Sequence, residues 1–374
     1  MLEGEQLKIL LVHPGASVST ADVEEGLRAG LEGLGVKVYR YRLDHRLAFE
    51  KAAARGWAAY QRRRGLPAED PTDQGIVYEA GVRALEMALR LNVHVVVIVA
   101  GLLVHPDVLA LMRRAGLLVT VLLTETPYSP VGERRLAGLS EGVWTNERTA
   151  VERLREVCPN VGYLPHAWHP GRHRPEPELA PEYDVAFVGT AWADRIELLG
   201  AVNWTGIKLA LFGNWEALPG RHRLRKHLAG RQMANEEALG VYRRARINLN
   251  LHRGREGWPG DGQVGAEVYA ESLNPRAYEL AALGVFWISD RRRAEHAEIF
   301  GEAVPTFGDA LELEALIRGY LADPGARAEL ADRGPRLVAR HSWRERARLV
   351  RNDLESLVHA ARAQGRIIAE KRRV

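Results

Sequence analysis

Residues 253–290 read RGREGWPGDGQVGAEVYAESLNPRAYELAALGVFWISD, and three consecutive signals in them set the fold. Glycines 254, 257, 260, 262 and 265 make a loop whose backbone amides can come close to a ligand. Asn274 then suits a helix cap, Pro275 the first helical position, and Arg276 falls in the first turn. The run Val285 to Ser289, short and apolar, fits a buried parallel strand. A helix N-terminus with an adjoining Arg is a physically sound diphosphate site, because unpaired amides, the helix dipole and a guanidinium all favour an anion there.

Further strands in the second half are expected at Tyr183 to Val188, Lys208 to Phe212, Ile247 to Leu251 and Ala303 to Phe307. The first half repeats the pattern at Leu7 to His13, Val36 to Tyr41, Val93 to Val99, Leu117 to Leu123, Gly142 to Thr145 and Val161 to Leu164. Strands alternating with amphipathic stretches predict an α/β class, with parallel sheets covered by helices. The first helix should open near Ser19 or Thr20, with Asp22, Glu24 and Glu25 in its first turn. Residues 165–183, PHAWHPGRHRPEPELAPEY, carry five prolines that oppose regular structure and mark a linker. Asp309 with Glu312 forms a helix cap, and Ser342 to Glu345 has the capping-box spacing that opens a final long helix.

At 374 residues the chain exceeds a typical single core, so two domains are expected. Hydrophobic residues at 46% and charged ones at 27% describe a globular chain and exclude a largely disordered one. The single Cys158 excludes an internal disulfide framework and a thiolate-rich metal cluster, and points to a packing role in a reducing compartment. With neither a signal-peptide core at the start nor an apolar run of membrane-span length, the expectation is a cytoplasmic protein without a membrane span. Basic residues exceed acidic ones by 52 to 48 and are nearly all Arg, which suits bidentate recognition of phosphate. A genome that writes Arg for every solvated cation gives the same bias, so charge alone does not establish nucleic-acid binding.

Asn248, Asn250 and His252 alternate with Ile247, Leu249 and Leu251, which puts the polar side chains on one face of a strand. In a covered sheet these groups need partners, supplied either by a ligand cleft at the strand's C-terminal end or by an internal hydrogen-bond network. Trp215 could stack on a base or pack as a core residue. His166, His169 and His173 lie in the proline-rich connector without the Cys or helical face of a metal site, so no metal is expected there. The chain lacks Asp-x-Asp, which removes the usual carboxylate pair for a metal-held diphosphate and leaves neutralisation to Arg and a helix dipole.

Glu271 and Glu279 have seven residues between them, the first before the helix and the second one turn inside it. Here the chain resembles glycosyltransferases with an E-x7-E motif, and more closely the CgeB-like group, named for a spore maturation protein. The resemblance extends to DVAFVGTAWADR (184–195), ARINLNLH (245–252), NPRAYELAALGVFWISD (274–290), TETPYS (124–129) and WTNERTAV (144–151). It implies a GT-B fold, two Rossmann-like domains with parallel sheets facing across a cleft. Residues 1–165 would form an acceptor domain joined by the C-terminal helix 342–374, residues 166–183 the linker, and residues 184–341 the nucleotide-sugar donor domain.

By the same resemblance Glu279 holds the donor ribose, and Glu271, the expected catalytic residue, contacts the transferring sugar. Arg276, Arg195 and the Gly189-Thr190 turn face the diphosphate, while Gly213 and Met233 lie in loops that meet the base. Asn250, His252, Asn274 and Pro275 complete the expected donor site. In the first domain Gly15, His105, Glu125 and Tyr128 are candidates for the acceptor cleft, although His105 departs from the position where related enzymes carry a histidine. Variable loops including residues 44–75 are expected to recognise the acceptor. The implied co-substrate is a nucleotide sugar, a UDP-sugar ahead of a GDP-sugar, with no other cofactor, no metal and retention at the anomeric carbon.

The acceptor stays open among glycan, protein, small molecule and nucleic acid. A nucleic-acid-modifying glycosyltransferase would draw on the basic stretches RHRLRKHLAGR (221–231), RRAR (243–246) and KRRV (371–374). A nucleotide-sugar epimerase or a non-catalytic binding protein is the third reading. A dehydrogenase is disfavoured because HPGASVS after the first strand lacks G-x-G-x-x-G.

Overall fold

The computed structural model describes residues 6–15, 18–176, 179–254, 265 and 269–366. The chain divides into two compact units, Met1–Leu164 with Arg344–Val374, and Pro165–Trp343.

Six strands build the first unit: β1 (Lys8–Val12), β2 (Lys37–Tyr41), β3 (Val95–Val99), β4 (Leu118–Leu123), β5 (Gly142–Thr145) and β6 (Val161–Tyr163). They form one parallel sheet in the order β2-β1-β3-β4-β5-β6. β3 (VVVIV) and β4 (LVTVLL) are buried at every position, as central strands covered on both faces must be. Helices α1 (Val18–Gly33), α2 (Leu43–Arg63), α3 (Asp73–Arg90), α4 (Pro106–Arg114), α5 (Pro130–Gly138) and α6 (Val151–Arg155) connect them. Because α1 begins at Val18, no acidic residue lies in its first turn, contrary to expectation. Glu24 instead turns inward, fully buried, and accepts hydrogen bonds from Nε and Nη2 of Arg40 on β2 at 2.9 and 2.6 Å.

The stretch 44–75, expected as loop, is largely the 21-residue helix α2, of which only Leu43 and Ala58 are buried. So narrow an apolar stripe leaves little periodic signal in the sequence. Thr72 then caps α3 by accepting from the Gly75 amide at 3.1 Å.

The second unit holds β7 (Tyr183–Val188), β8 (Leu209–Phe212), β9 (Ala245–Asn250), β10 (Trp287–Asp290) and β11 (Thr306–Phe307), parallel in the order β11-β10-β9-β7-β8. Around it lie α7 (Ala193–Ala201), α8 (Asn235–Arg243), α9 (Pro275–Leu283), α10 (Glu295–Ile299), α11 (Ala310–Ala322) and α12 (Pro324–Leu337). The proline-rich segment is tied into this unit by Trp168. Its backbone N–H donates to His341 O at 3.1 Å and its indole Nε1 to Val338 O at 2.7 Å.

Helix α13 (Trp343–Ala363) ends the described fold and, from Arg344 on, belongs to the first unit. Its buried residues Val350, Leu354, Val358 and Ala361 recur at helical spacing. Trp144 Nε1 donates to Asp353 Oδ2 at 2.8 Å, and Arg351 Nη1 donates to Leu34 O at 3.0 Å.

Helix α9 is buried from Ala277 to Leu283, and α12 approaches it through a glycine. A Cβ on Gly334 would stand 2.6 Å from Ala281 O, a contact backbone cannot relieve. Helix propensity alone says Gly334→Ala stabilises by up to about 1 kcal/mol. The packing predicts the opposite, a net loss of about 1–3 kcal/mol in urea unfolding. A variant as stable as the parent would contradict this contact.

Candidate functional site

The expected donor residues gather at the C-terminal edge of the second sheet. There β7 lies between β8 and β9, so the chain leaves β7 toward one side and β9 toward the other, the switch point at which open α/β sheets bind ligands. Asn274 caps α9, its Oδ1 accepting from the Ala277 amide at 3.1 Å, with Pro275 at the first helical position. The same side chain donates through Nδ2 to Asn250 Oδ1 at 2.8 Å, and Asn250 Nδ2 donates to Ser289 Oγ at 3.2 Å. Asn248 donates to the carbonyls of Tyr242 and Phe286 at 3.0 and 3.3 Å. The polar face of β9 is therefore answered by an internal network, and that network ends on the start of α9.

Arg276 donates from Nε to the Tyr242 hydroxyl at 3.0 Å and lies 5.5 Å from the Phe187 ring centroid. Arg195 lies 5.4 Å from the same centroid, so two guanidinium groups flank one ring. Arg195 is 7% exposed, buried rather than a surface helix cation. It donates from Nη1 to Thr190 O at 3.0 Å and from Nη2 to Leu251 O at 2.6 Å, bracing the turn after β7 against the end of β9. Asp194 pairs with Arg292.

Gly189 donates its amide to Phe212 O at 2.9 Å, and Gly213, at φ +116°, sits so close that a Cβ would be 2.3 Å from Gly189 O. Only glycine fits there. Met233 is half-buried and packs on the cluster that contains Phe212 and Tyr242. Trp215 is a core residue, its indole donating to Phe212 O at 3.1 Å.

His252 follows β9 and is clamped by Asp290 at the end of β10. The His252 amide donates to Asp290 Oδ2 at 2.6 Å, and its Nδ1 is 3.0 Å from Asp290 Oδ1. Burial drives the His252 pKa down against the pull of Asp290. For Asp290 burial works upward, but the hydrogen bonds from His252 and the charge of Arg292 hold it well below the carboxylate range. A neutral His252 donating from Nδ1 leaves its buried Nε2 as an acceptor with no partner among the described residues.

Glu279 is 9% exposed, one turn along α9 from Arg276. Glu271 is half-buried in the segment before α9, its carbonyl accepting from the Glu295 amide at 3.1 Å. Glu295 in turn accepts from the Leu273 amide at 2.7 Å and the Tyr278 hydroxyl at 3.3 Å. Arg293 ties both flanks of the glycine-rich loop, donating to Arg253 O at 2.8 Å and Ala270 O at 3.3 Å. Glycines 257, 260 and 262 of that loop lie outside the described residues.

The candidates of the first unit follow the C-terminal ends of three of its strands. After β1, Gly15 has φ +102°, donates its amide to His13 Nδ1 at 3.1 Å, and would put a Cβ 2.5 Å from Leu103 Cδ1. After β3, His105 caps α4, its Nδ1 accepting from the Asp107 amide at 3.3 Å. After β4, Glu125 and Tyr128 close a turn in which the Tyr128 amide donates to Glu125 O at 2.9 Å.

Several basic residues proposed for phosphate contact are engaged within the second unit. Arg223 donates to Val202 O, Arg225 to Leu218 O and Pro219 O, Arg243 pairs with Glu176, and Arg246 with Asp184. KRRV lies outside the described residues. Of the connector histidines, His173 is buried and accepts the His169 amide at 2.9 Å, and desolvation pushes its pKa down to about 3.

Sequence reasoning missed Asp290, Tyr242 and Glu295. The signal for Asp290 was present. A polar face on β9 demands partners from the adjacent strand, and the polar end of FWISD, with Ser289 in register with Asn250, supplies them.

The family model described as "Glycosyl transferase-like" matches residues 178–352. No curated protein matches the sequence significantly. Among solved structures, the chain is similar to T4 phage β-glucosyltransferase in complex with UDP and Mn2+, at 12% identity and TM-score 0.58, covering 93% of this chain and 100% of that one. It is similar to an α-glucosyltransferase in complex with UDP and a 13-mer DNA containing an HMU base, at 9% identity and TM-score 0.61, over 94% of this chain and 100% of that one. A trehalose-6-phosphate synthase shares the fold at 9% identity and TM-score 0.57, over 93% and 99%. The chain has the GT-B fold. The part of the chain that is glycosyl transferase-like in sequence covers most of the second unit. Among the described residues no helix is long and apolar enough to cross a membrane.

Burial also holds His296, beside Trp287, at a pKa of about 4. His173, His252 and His296 are thus neutral in the folded unit. Below pH 6.5, the ordinary histidine value, the unfolded chain binds protons that the folded one refuses, so stability is present above that value and lost as pH falls toward 4 and then 3. The loss is about 1.4 kcal/mol per pH unit for each of His173 and His296. Urea unfolding of the second unit should therefore weaken steeply from neutral pH to about pH 4.5. A flat profile over that range would contradict the neutral assignment.

Proposed function

We propose that the chain transfers a sugar from a nucleoside diphosphate donor, a UDP-sugar ahead of a GDP-sugar, held at the C-terminal edge of the second sheet. The carrying observation is the start of α9. It is capped by Asn274, pinned to β9 through Asn250, and has Arg276 in its first turn against the Phe187 ring, which also lies against Gly189. First-turn amides, helix dipole and guanidinium together favour a diphosphate.

In this reading Arg276 and the Gly189-Thr190 turn hold the diphosphate, and Arg195 positions that turn from beneath. Glu279 takes the donor ribose, Glu271 meets the transferring sugar, and the loops of Gly213 and Met233 border the base. The bond from the anomeric carbon to the diphosphate oxygen breaks as the acceptor oxygen bonds to the same carbon on the same face, giving retention. The acceptor's proton passes to the departing phosphate oxygen. Preorganised donors at that oxygen are the main catalytic contribution. Arg276 and the helix dipole neutralise the leaving group, so the reaction runs without a metal. The second unit serves the donor and the first, through Gly15, His105, Glu125 and Tyr128, the acceptor, in a cytoplasmic protein. A nucleic-acid acceptor has less support, because the arginines at 223, 225, 243 and 246 are already engaged.

Calorimetry with UDP should show binding that Arg276→Ala and Glu279→Gln each weaken about tenfold or more. Unchanged affinity in both variants would reject the donor site. Glu271→Gln should lower turnover of a UDP-sugar more than UDP affinity, and chelation should leave turnover unchanged. Equal turnover in Glu271→Gln, or loss of turnover on chelation, would overturn those two assignments. Interconversion of sugars without an acceptor would indicate an epimerase instead.

A further inference from the structure

Helix α2 carries aromatic residues outward. Phe49, Trp57 and Tyr60 are 57%, 60% and 40% exposed, and Trp57 and Tyr60 stack with ring centroids 5.5 Å apart. Aromatic rings grouped in water on one helix mark a surface that something covers. Beside Trp57 lies a cavity of about 540 Å³, within the size range of small-molecule sites. Its walls are one face of α2, the residues around the start of α3, and His105 at the start of α4. Since α2 follows β2, α4 follows β3, and α3 runs back toward the opposite edge before β3, the cavity stands at the C-terminal edge of the first sheet.

The lining chemistry is specific. Trp57 offers a flat apolar face, while Gln74 and Glu79 reach the cavity from α3 and make no hydrogen bond with described residues. Glu50 is balanced by Arg46, 2.8 Å away. His105 accepts the Asp107 amide on Nδ1 and packs edge-on against Tyr78 at 5.4 Å, which leaves Nε2 as the ring N–H donor. The wall therefore combines an aromatic platform, a free carboxylate, a free amide and an imidazole N–H, with no Lys or Arg among its lining residues. The free carboxylate of Glu79, with no lining cation facing it, disfavours phosphate groups. It suits hydroxyl donors, and the indole suits the apolar C–H face of a sugar ring.

We propose that this cavity is the acceptor site and that it takes a neutral saccharide, one ring lying on Trp57 with its hydroxyls on Glu79, Gln74 and His105. The acceptor role rests on the transferase reading above; the binding of saccharide does not.

The test uses the full chain with maltotriose, cellotriose and chitotriose, followed by saturation-transfer NMR and titration, with UDP calorimetry in parallel. At least one trisaccharide should bind. Trp57→Ala and Glu79→Gln should each weaken it about tenfold or more while UDP affinity and melting temperature hold. The proposal fails if none binds below roughly 10 mM, or if Trp57→Ala leaves binding unchanged. It also fails if spermidine or a DNA duplex, rather than a saccharide, binds in a manner that Trp57→Ala abolishes. Saccharide binding without any UDP binding would keep the cavity as a sugar site and remove its acceptor role.

Discussion

The hydrogen bond between Asn250 and Asn274 is the constraint from which the second unit follows. An asparagine fully buried on a central strand costs about 1–3 kcal/mol if its amide is left unpaired. Its partners are Ser289 on the neighbouring strand and the cap residue of α9. Satisfying it therefore requires the helix to begin at the end of β9, with its first amides and Arg276 at the sheet's edge. The close approach of α12 at Gly334 and the burial of α9 from Ala277 to Leu283 hold the helix in that place.

The positive charge at this edge is arranged in two layers. Arg195 is buried and committed to the carbonyls of Thr190 and Leu251, so it shapes the turn rather than presenting a free cation. Arg276, half-buried and also against Phe187, keeps terminal nitrogens beyond its Tyr242 contact. A ligand's anion would thus meet Arg276 and backbone amides, with Arg195 adding its field from beneath. The His252–Asp290 pair next to them holds one imidazole neutral and oriented, a polar group built into the same edge.

Much of this was legible in the sequence, because the signals are local. The capping triplet Asn274-Pro275-Arg276, the alternation in ARINLNLH and the short apolar strands each carry their own physical reason. What stayed hidden depends on tertiary placement. Arg195 reads as a surface helix cation until the fold folds it under Leu251, 56 positions away. Asp290 and Tyr242 matter only because β10 and α8 lie beside β9 and α9. Helix α2 escaped because its surface is largely exposed and aromatic, with only Leu43 and Ala58 buried to mark a stripe.

On this reading the start of α9 is an anion cradle held in register by Asn250. A crystal structure with UDP tests it most directly. Diphosphate oxygens should lie within about 3 Å of the first backbone amides of α9 and of the Arg276 guanidinium. UDP bound elsewhere, or density at that edge filled by the protein's own side chains, would contradict it.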